Sequence, residues 1–308
     1  MRLEGTTLGV TLIVASVFML SFGDAVVKQS SADFSLWQLL ALRSLIAVPV
    51  LIGIARFASP GASLWPKSVG WVVLRSVLIV LMWIAFYTAL PFMSLSVAAT
   101  ALYTIPLFIA IFSAALIGEP VGLKRWLAIL VGFAGVLVIL RPAADDFSPL
   151  ALLPVLAAAL YALAAIVTRS KCAHEDSLSI ATVLNLCLLL TGFIGVVAVG
   201  LIPGAVDATL PFLLGPWVEL KAETWAVIVL LGILMVAQSI GVAKAYQIAP
   251  PAIIGTFDYS YLVFAGLWGF VFFGEVPDGL TVIGIGCILA AGWMVVWGGQ
   301  AKSATEPL

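Results

Sequence analysis

Five apolar segments of membrane-spanning length, followed by five more with the same internal landmarks, constrain this chain more than any single residue does. A helix needs roughly 20 mostly apolar residues to cross a bilayer. Segments of that kind fall at 7–27, 36–56, 69–90, 95–117, 124–141, 149–169, 178–201, 223–246, 252–273 and 279–298. Five is odd, so the second set must enter the bilayer from the face opposite to the first. Two related halves of opposite topology are the arrangement of alternating-access carriers, whose site lies between the halves near the midplane.

Composition points the same way. The chain is 63% hydrophobic and 9% charged, against roughly 45–50% and about 25% in soluble domains. Backbone groups in lipid must bond internally, and these runs lack the period-2 alternation of barrel strands. The expected fold is therefore all-α and integral to the membrane, with ten transmembrane helices as two inverted five-helix repeats. The first repeat takes 1–141, the second takes 149–298, and 299–308 forms a cytoplasmic tail. The first apolar stretch imitates a signal peptide, with Ser30-Ser31-Ala32 as a weak cleavage mimic, but its removal would leave only four spans to match five.

Lys and Arg set the orientation. With the N-terminus inside, the inner segments hold Arg2, Arg56, Lys67, Lys124, Arg125, Arg169, Lys171 and Lys302, eight in all, and the outer ones hold Lys28, Arg141 and Lys221. The expected location is the bacterial inner membrane, with both termini cytoplasmic. Cys172, Cys187 and Cys287 are scattered and His174 is the sole histidine, so no zinc site or cysteine-histidine nucleophile is expected. No Gly-x-x-x-x-Gly-Lys-Ser/Thr loop occurs, which excludes ATP drive on this chain. An enzyme and a channel both lack the groups they require. No cofactor is expected; the partners are a small-molecule substrate and the bilayer, with no nucleic acid and no obligate protein.

The repeat is clearest where 89–119 is set against 245–275 at an offset of 156. Identical pairs are Ala89/Ala245, Thr100/Thr256, Tyr103/Tyr259, Phe108/Phe264, Gly118/Gly274 and Glu119/Glu275. The closing spans agree as well, with Ala128 matching Gly284 and Gly135 matching Ala291, small residues on one helix face that permit close approach. After Gly118-Glu119 come Lys124 and Arg125, whereas after Gly274-Glu275 comes Asp278. The same motif thus carries inside flanks in one half and outside flanks in the other, as inverted copies must.

Ala89-Leu90, the small and polar start of the next span, Pro106-Leu107-Phe108 and Gly118-Glu119-Pro120 resemble the EamA family of drug/metabolite transporters. The second-half counterparts Ala245-Tyr246, Gly274-Glu275-Val276, Gly284 and Ala291 fit too, so the resemblance covers nearly all of 7–298. It implies ten helices in two inverted halves and transport of small metabolites, often amino-acid export. Leu262 stands where Pro106 stands in the first half, so the mid-helix proline is not shared.

Polar and aromatic residues inside spans are the substrate candidates. Asp258, Tyr261, Ala265 and Trp268 form one stripe on the ninth span, with Asp258 as acceptor for a substrate ammonium or as a helix-end carboxylate. Trp83 and Tyr87 lie on one face of the third span, and Gln238 lies near the middle of the eighth. Tyr103 and Tyr161 are further candidates for an aromatic cavity. Arg43 either snorkels outward or reaches inward to a carboxylate. Asp24 and Lys28, at i and i+4, read as a helix-surface ion pair, Glu119 and Glu275 as helix-end groups, and Asn185 as a cross-helix bond. Trp65, Trp71, Trp217, Trp225 and Trp297 suit an interfacial belt. The broken stretch 202–222 rests on the outer surface. The expected activity is secondary export of amino acids, aromatic ones included. The alternative is uptake or exchange of a larger aromatic metabolite such as a flavin or nucleoside-like compound.

Overall fold

The long apolar runs close their backbone hydrogen bonds locally, the one economical way to hold them where water is absent. The computed structural model describes residues 2–57, 63–112, 115–116, 123–140, 149–172, 174–201, 210–248, 257 and 260–303. Asp258, Tyr259, Thr256, Gly118, Glu119 and Arg141 lie outside them. Among the described residues the chain is helical and has no strand. Its helices are α1 (Arg2–Gln29), α2 (Leu36–Phe57), α3 (Val69–Ala89), α4 (Leu95–Leu102), α5 (Ile105–Phe112), α6 (Leu123–Leu140) and α7 (Leu153–Lys171). Then come α8 (Ser177–Leu201), the short α9 (Pro211–Leu214), α10 (Ala222–Ile248), α11 (Ser260–Phe273) and α12 (Gly279–Ser303).

Six of these helices contain stretches long and apolar enough to cross a membrane, on α1, α2, α3, α7, α8 and α10. Outward faces are apolar: Leu190, Ile194, Val197 and Leu201 are exposed on α8, as are Val263, Leu267, Phe270 and Val271 on the shorter α11. Such faces suit lipid and would be a liability in water. The chain is a multi-pass helical membrane protein. Trp65, Trp71, Trp217 and Trp225 are exposed at helix starts or in the connections beside them.

Local sequence explains the interruptions. The expected fourth span is two short helices. Ser94 caps α4, its Oγ accepting the Val97 N–H at 3.2 Å. The helix stops at Tyr103 and Thr104, because Pro106 has no N–H to donate to a continuing helix. Gly274 ends α11 in the left-handed region at φ 64°, which glycine enters without a Cβ clash. Its N–H bonds the Phe270 carbonyl at 2.9 Å, and the Glu275 N–H returns to Gly269 at 3.1 Å.

The extensive helix contacts run between the part before residue 141 and the part after 149. α1 packs on α10 and α11, α2 on α8 and α10, α3 on α7 and α8, α4 on α11, α5 on α7, and α6 on α12. Small residues allow the closest approaches. A Cβ added at Gly192 of α8 would lie 2.4 Å from the Ala41 backbone nitrogen, and one at Gly195 would lie 2.2 Å from the Trp37 indole. On α6, a Cβ at Gly132 would meet Ala291 of α12 at 3.1 Å, and Gly135 on the same helix is also buried. Gln38 ties down part of the broken stretch: its Nε2 donates to the Val218 carbonyl at 2.7 Å and its Oε1 accepts the Val218 N–H at 3.2 Å. Phe212 is buried there against Phe34.

A buried acid-tyrosine-arginine network as the candidate site

Asp24 sits one turn before Lys28 on α1, and the two do not pair. Lys28 turns away: its Nζ forms an ion pair with Glu275, donates to the Met93 carbonyl at 2.7 Å and lies 4.4 Å from the centre of the Phe273 ring. Glu275 also accepts the Leu95 N–H at 2.8 Å, at the start of α4. It is a helix-terminus group as expected, but it serves a helix other than its own. Asp24 instead points into the bundle, where it is 1% exposed. Its Oδ2 accepts from the Tyr261 hydroxyl at 2.6 Å and its Oδ1 from the Tyr87 hydroxyl at 3.2 Å.

Arg43 of α2 completes the network. It is 3% exposed and does not snorkel. Its Nη1 donates to the Tyr87 hydroxyl at 3.1 Å, and its guanidinium lies 5.6 Å from the Trp83 ring centre and 5.7 Å from that of Tyr87. Trp83 and Tyr87, one turn apart on α3, stack with centroids 4.8 Å apart. The guanidinium therefore rests against two aromatic faces, a favourable setting for a cation removed from water. Its Nε and Nη2 are buried without an acceptor. A buried charge needs an opposite charge and filled hydrogen bonds. Asp24 supplies the first through the Tyr87 hydroxyl, while the two open donors leave the second incomplete.

Asp24, Arg43, Trp83, Tyr87 and Gln238 border a common void of about 20 Å³, together with Met19, Leu20, Gly23, Leu231, Leu234 and Met235. That is room for about one water, so a metabolite enters only after the helices part. Gln238 makes a long contact from Nε2 to the Met235 sulfur at 3.8 Å. Tyr103, at the break between α4 and α5, stacks on Tyr261 at 4.9 Å with an interplanar angle of 19°. The void thus draws on α1, α2, α3 and α10, and α11 joins it through Tyr261.

Of the sequence candidates, Arg43, Trp83, Tyr87 and Gln238 meet at this void, Tyr261 joins through Asp24, and Tyr103 joins by stacking on Tyr261. Trp268 packs elsewhere, among Phe18, Phe22 and Phe272. Tyr161 on α7 is 37% exposed and does not border the void. The residue that sequence reasoning passed over is Asp24. Its i, i+4 spacing to Lys28 was the misleading signal; its position inside an apolar span was the better one. One smaller expectation also changes. Asn185 donates to the Ala181 carbonyl of its own helix at 2.9 Å, and among the described residues its amide donor bridges no helices. In the turn after α7, Glu175 accepts the N–H groups of Lys67 and Ser68 at 2.8 and 2.7 Å at the start of α3. Among the described residues, no cluster of His, Cys, Asp and Glu could hold a metal ion.

Residues 7–141 match the EamA-like transporter family. Over that stretch the chain is similar to this family. Members of the EamA-like family are transporters and not enzymes. This EamA-like chain is 29% identical to the riboflavin transporter of Vibrio cholerae, over 82% of itself and 80% of that protein. It is 25% identical to the pseudopaline exporter of Pseudomonas aeruginosa, over 90% and 91% of the two chains. It is 24% identical to the S-adenosylmethionine uptake transporter of Rickettsia prowazekii, over 76% and 74%. A solved crystal structure covers 99% of this chain and 100% of its own at a TM-score of 0.63, with 20% identity, which speaks for the fold alone. The chain is a small-molecule transporter of the membrane.

Proposed function

We infer that this protein is a secondary carrier exporting amino acids, aromatic ones included, across the bacterial inner membrane by alternating access. Its ten helices form two inverted halves, 1–141 and 149–298, with both termini cytoplasmic. The helix contacts support that division. Exchanging each span with the one five places along carries α1 on α10 onto α7 on α3, and α2 on α10 onto α8 on α3. It carries α1 on α11 onto α7 on α4 and α5, and leaves α2 on α8, α4 on α11 and α6 on α12 unchanged. A reporter at residue 122 then reads cytoplasmic and one at residue 278 external; the same side for both ends the inverted reading.

One observation carries the substrate class: Arg43, with two buried donor nitrogens unfilled, borders the same void as Asp24. An amino-acid zwitterion complements that pair, its carboxylate filling the guanidinium fork and its ammonium meeting Asp24. Trp83 and Tyr87 offer the ring faces against which an aromatic side chain rests. The test is counterflow of labelled phenylalanine, tyrosine and tryptophan in proteoliposomes. Exchange above that of empty vesicles supports the reading, and its absence for all three refutes it.

Likeness to the riboflavin transporter of Vibrio cholerae favours a second reading, a flavin-like substrate. A neutral flavin has no ammonium for Asp24. Labelled riboflavin in the same vesicles separates the two, since exchange of riboflavin without amino acids selects the second.

A further inference from the structure

Asp24 has an office that substrate binding alone does not require. A carboxylate presents about four lone-pair positions, and the Tyr87 and Tyr261 hydroxyls occupy two of them. Asp24 also borders the void. The other described titratable or charged groups around it are few. α2 contributes Arg43, α3 contributes Tyr87, and α11 contributes Tyr261, backed by Tyr103. α10 contributes only the uncharged Leu231, Leu234, Met235 and Gln238 to the void. On α1 itself Lys28 is committed to Glu275. Among the described groups at the void, Asp24 is therefore the one whose charge an added proton would remove, because arginine and tyrosine already hold their protons and titrate far above a carboxylate. A buried carboxylate facing one arginine can compensate one further positive charge but not two, so a proton and an ammonium exclude each other there.

From this geometry we propose that Asp24 is the coupling residue of a proton-substrate antiporter, holding either a proton or the ammonium of an amino acid. The proposal rests on the amino-acid reading of the same site. In each cycle the Asp24 carboxylate takes one proton from water on the outer side and becomes a neutral carboxylic acid. The site turns inward, the proton leaves to the cytoplasmic water, and the substrate ammonium replaces it while the carboxylate settles on Arg43. Once the site faces outward again, a new proton displaces the amino acid. One proton enters for each zwitterion exported, so the inward proton gradient drives export.

The experiment measures phenylalanine binding to the purified full-length protein in weakly buffered detergent, with a pH indicator present, from pH 5 to pH 9. Binding is expected to release one proton per phenylalanine below the midpoint of Asp24 titration, and affinity is expected to fall about tenfold per pH unit there. Asp24→Asn should release none. Tyr261→Phe removes one donor from the carboxylate while sparing its charge, so it should move the midpoint of the pH dependence to higher pH; it keeps the test alive where Asp24→Asn does not fold. Phenylalanine binding that is independent of pH and releases no proton overturns antiport and leaves the amino-acid site standing. No binding of phenylalanine, tyrosine or tryptophan at any pH overturns both.

Discussion

Lys28, on the last turn of α1, pairs with Glu275, the residue just past the left-handed stop of α11, and not with Asp24 one turn behind it. That single choice frees the aspartate for the interior. It depends on Gly274, whose positive φ turns the chain so that the Glu275 carboxylate reaches both Lys28 and the first N–H of α4. Gly269 keeps the space open, since a Cβ there would come within 2.8 Å of the same carboxylate.

Glu275→Gln should therefore loosen three helices together. The amide cannot neutralise Lys28 and can keep only part of the contact to Leu95. We expect a loss of about 1–3 kcal/mol, the usual range when a charged hydrogen bond in a partly buried setting is removed. Thermal unfolding of the purified variant measures it, and an unchanged midpoint means that the pair is solvated in solution.

Arg43→Lys keeps the charge and removes the planar fork. A lysine ammonium offers three donors from one point and cannot grip a carboxylate with two parallel bonds. Binding of phenylalanine should weaken roughly 10- to 100-fold, equivalent to the loss of one or two charge-assisted bonds. Affinity equal to the parent would remove the guanidinium from the binding site.

At the contact of α8 with α2, Gly192→Val places methyl groups where backbone already stands. Neither helix can yield locally, so the change should destabilise by about 1–3 kcal/mol or more through overpacking. Membrane yield and thermal stability both report it. The change touches no residue of the void, so its effect should be on yield and stability before substrate preference.

Glu175 supplies a pH signature outside the bundle. The N–H of Lys67, with that of Ser68, holds its carboxyl below the usual carboxylate range. A lowered folded value means that the contact stabilises the start of α3 above the unfolded value of about 4.3 and is lost as pH falls through the lower folded value. Parent and Glu175→Gln should therefore differ in thermal stability at pH 7 and converge under more acidic conditions. A difference that persists undiminished at pH 3 assigns the effect to something other than ionisation.

Periodicity and length locate helices well because lipid leaves the backbone no alternative, and α1, α2, α3, α7, α8 and α10 follow their apolar runs. The break at Tyr103 was legible only as a proline at 106, since the sequence does not say whether a helix bends or stops there. Arg43, Trp83, Tyr87, Gln238 and Tyr261 could be chosen because each is polar or aromatic in an apolar span. Asp24 could not be told from a surface partner of Lys28, because its true partners lie 63 and 237 positions away in the chain. Contacts of that range are set by packing, and no local spacing encodes them. Trp268 shows the converse: an aromatic at the right depth whose ring contacts among the described residues are with phenylalanines.

The helix contacts also bear on how the protein is made. α1, α2, α3 and α6 find their most extensive contacts on α10, α8, α7 and α12, all of which leave the ribosome after them. The N-terminal helices thus enter the bilayer before their partners exist, and their polar interior groups, Asp24 and Arg43 among them, must wait in lipid or under the protection of the insertion machinery. Tertiary structure in this chain is a late event of synthesis, completed only when the last helix arrives to cover α6.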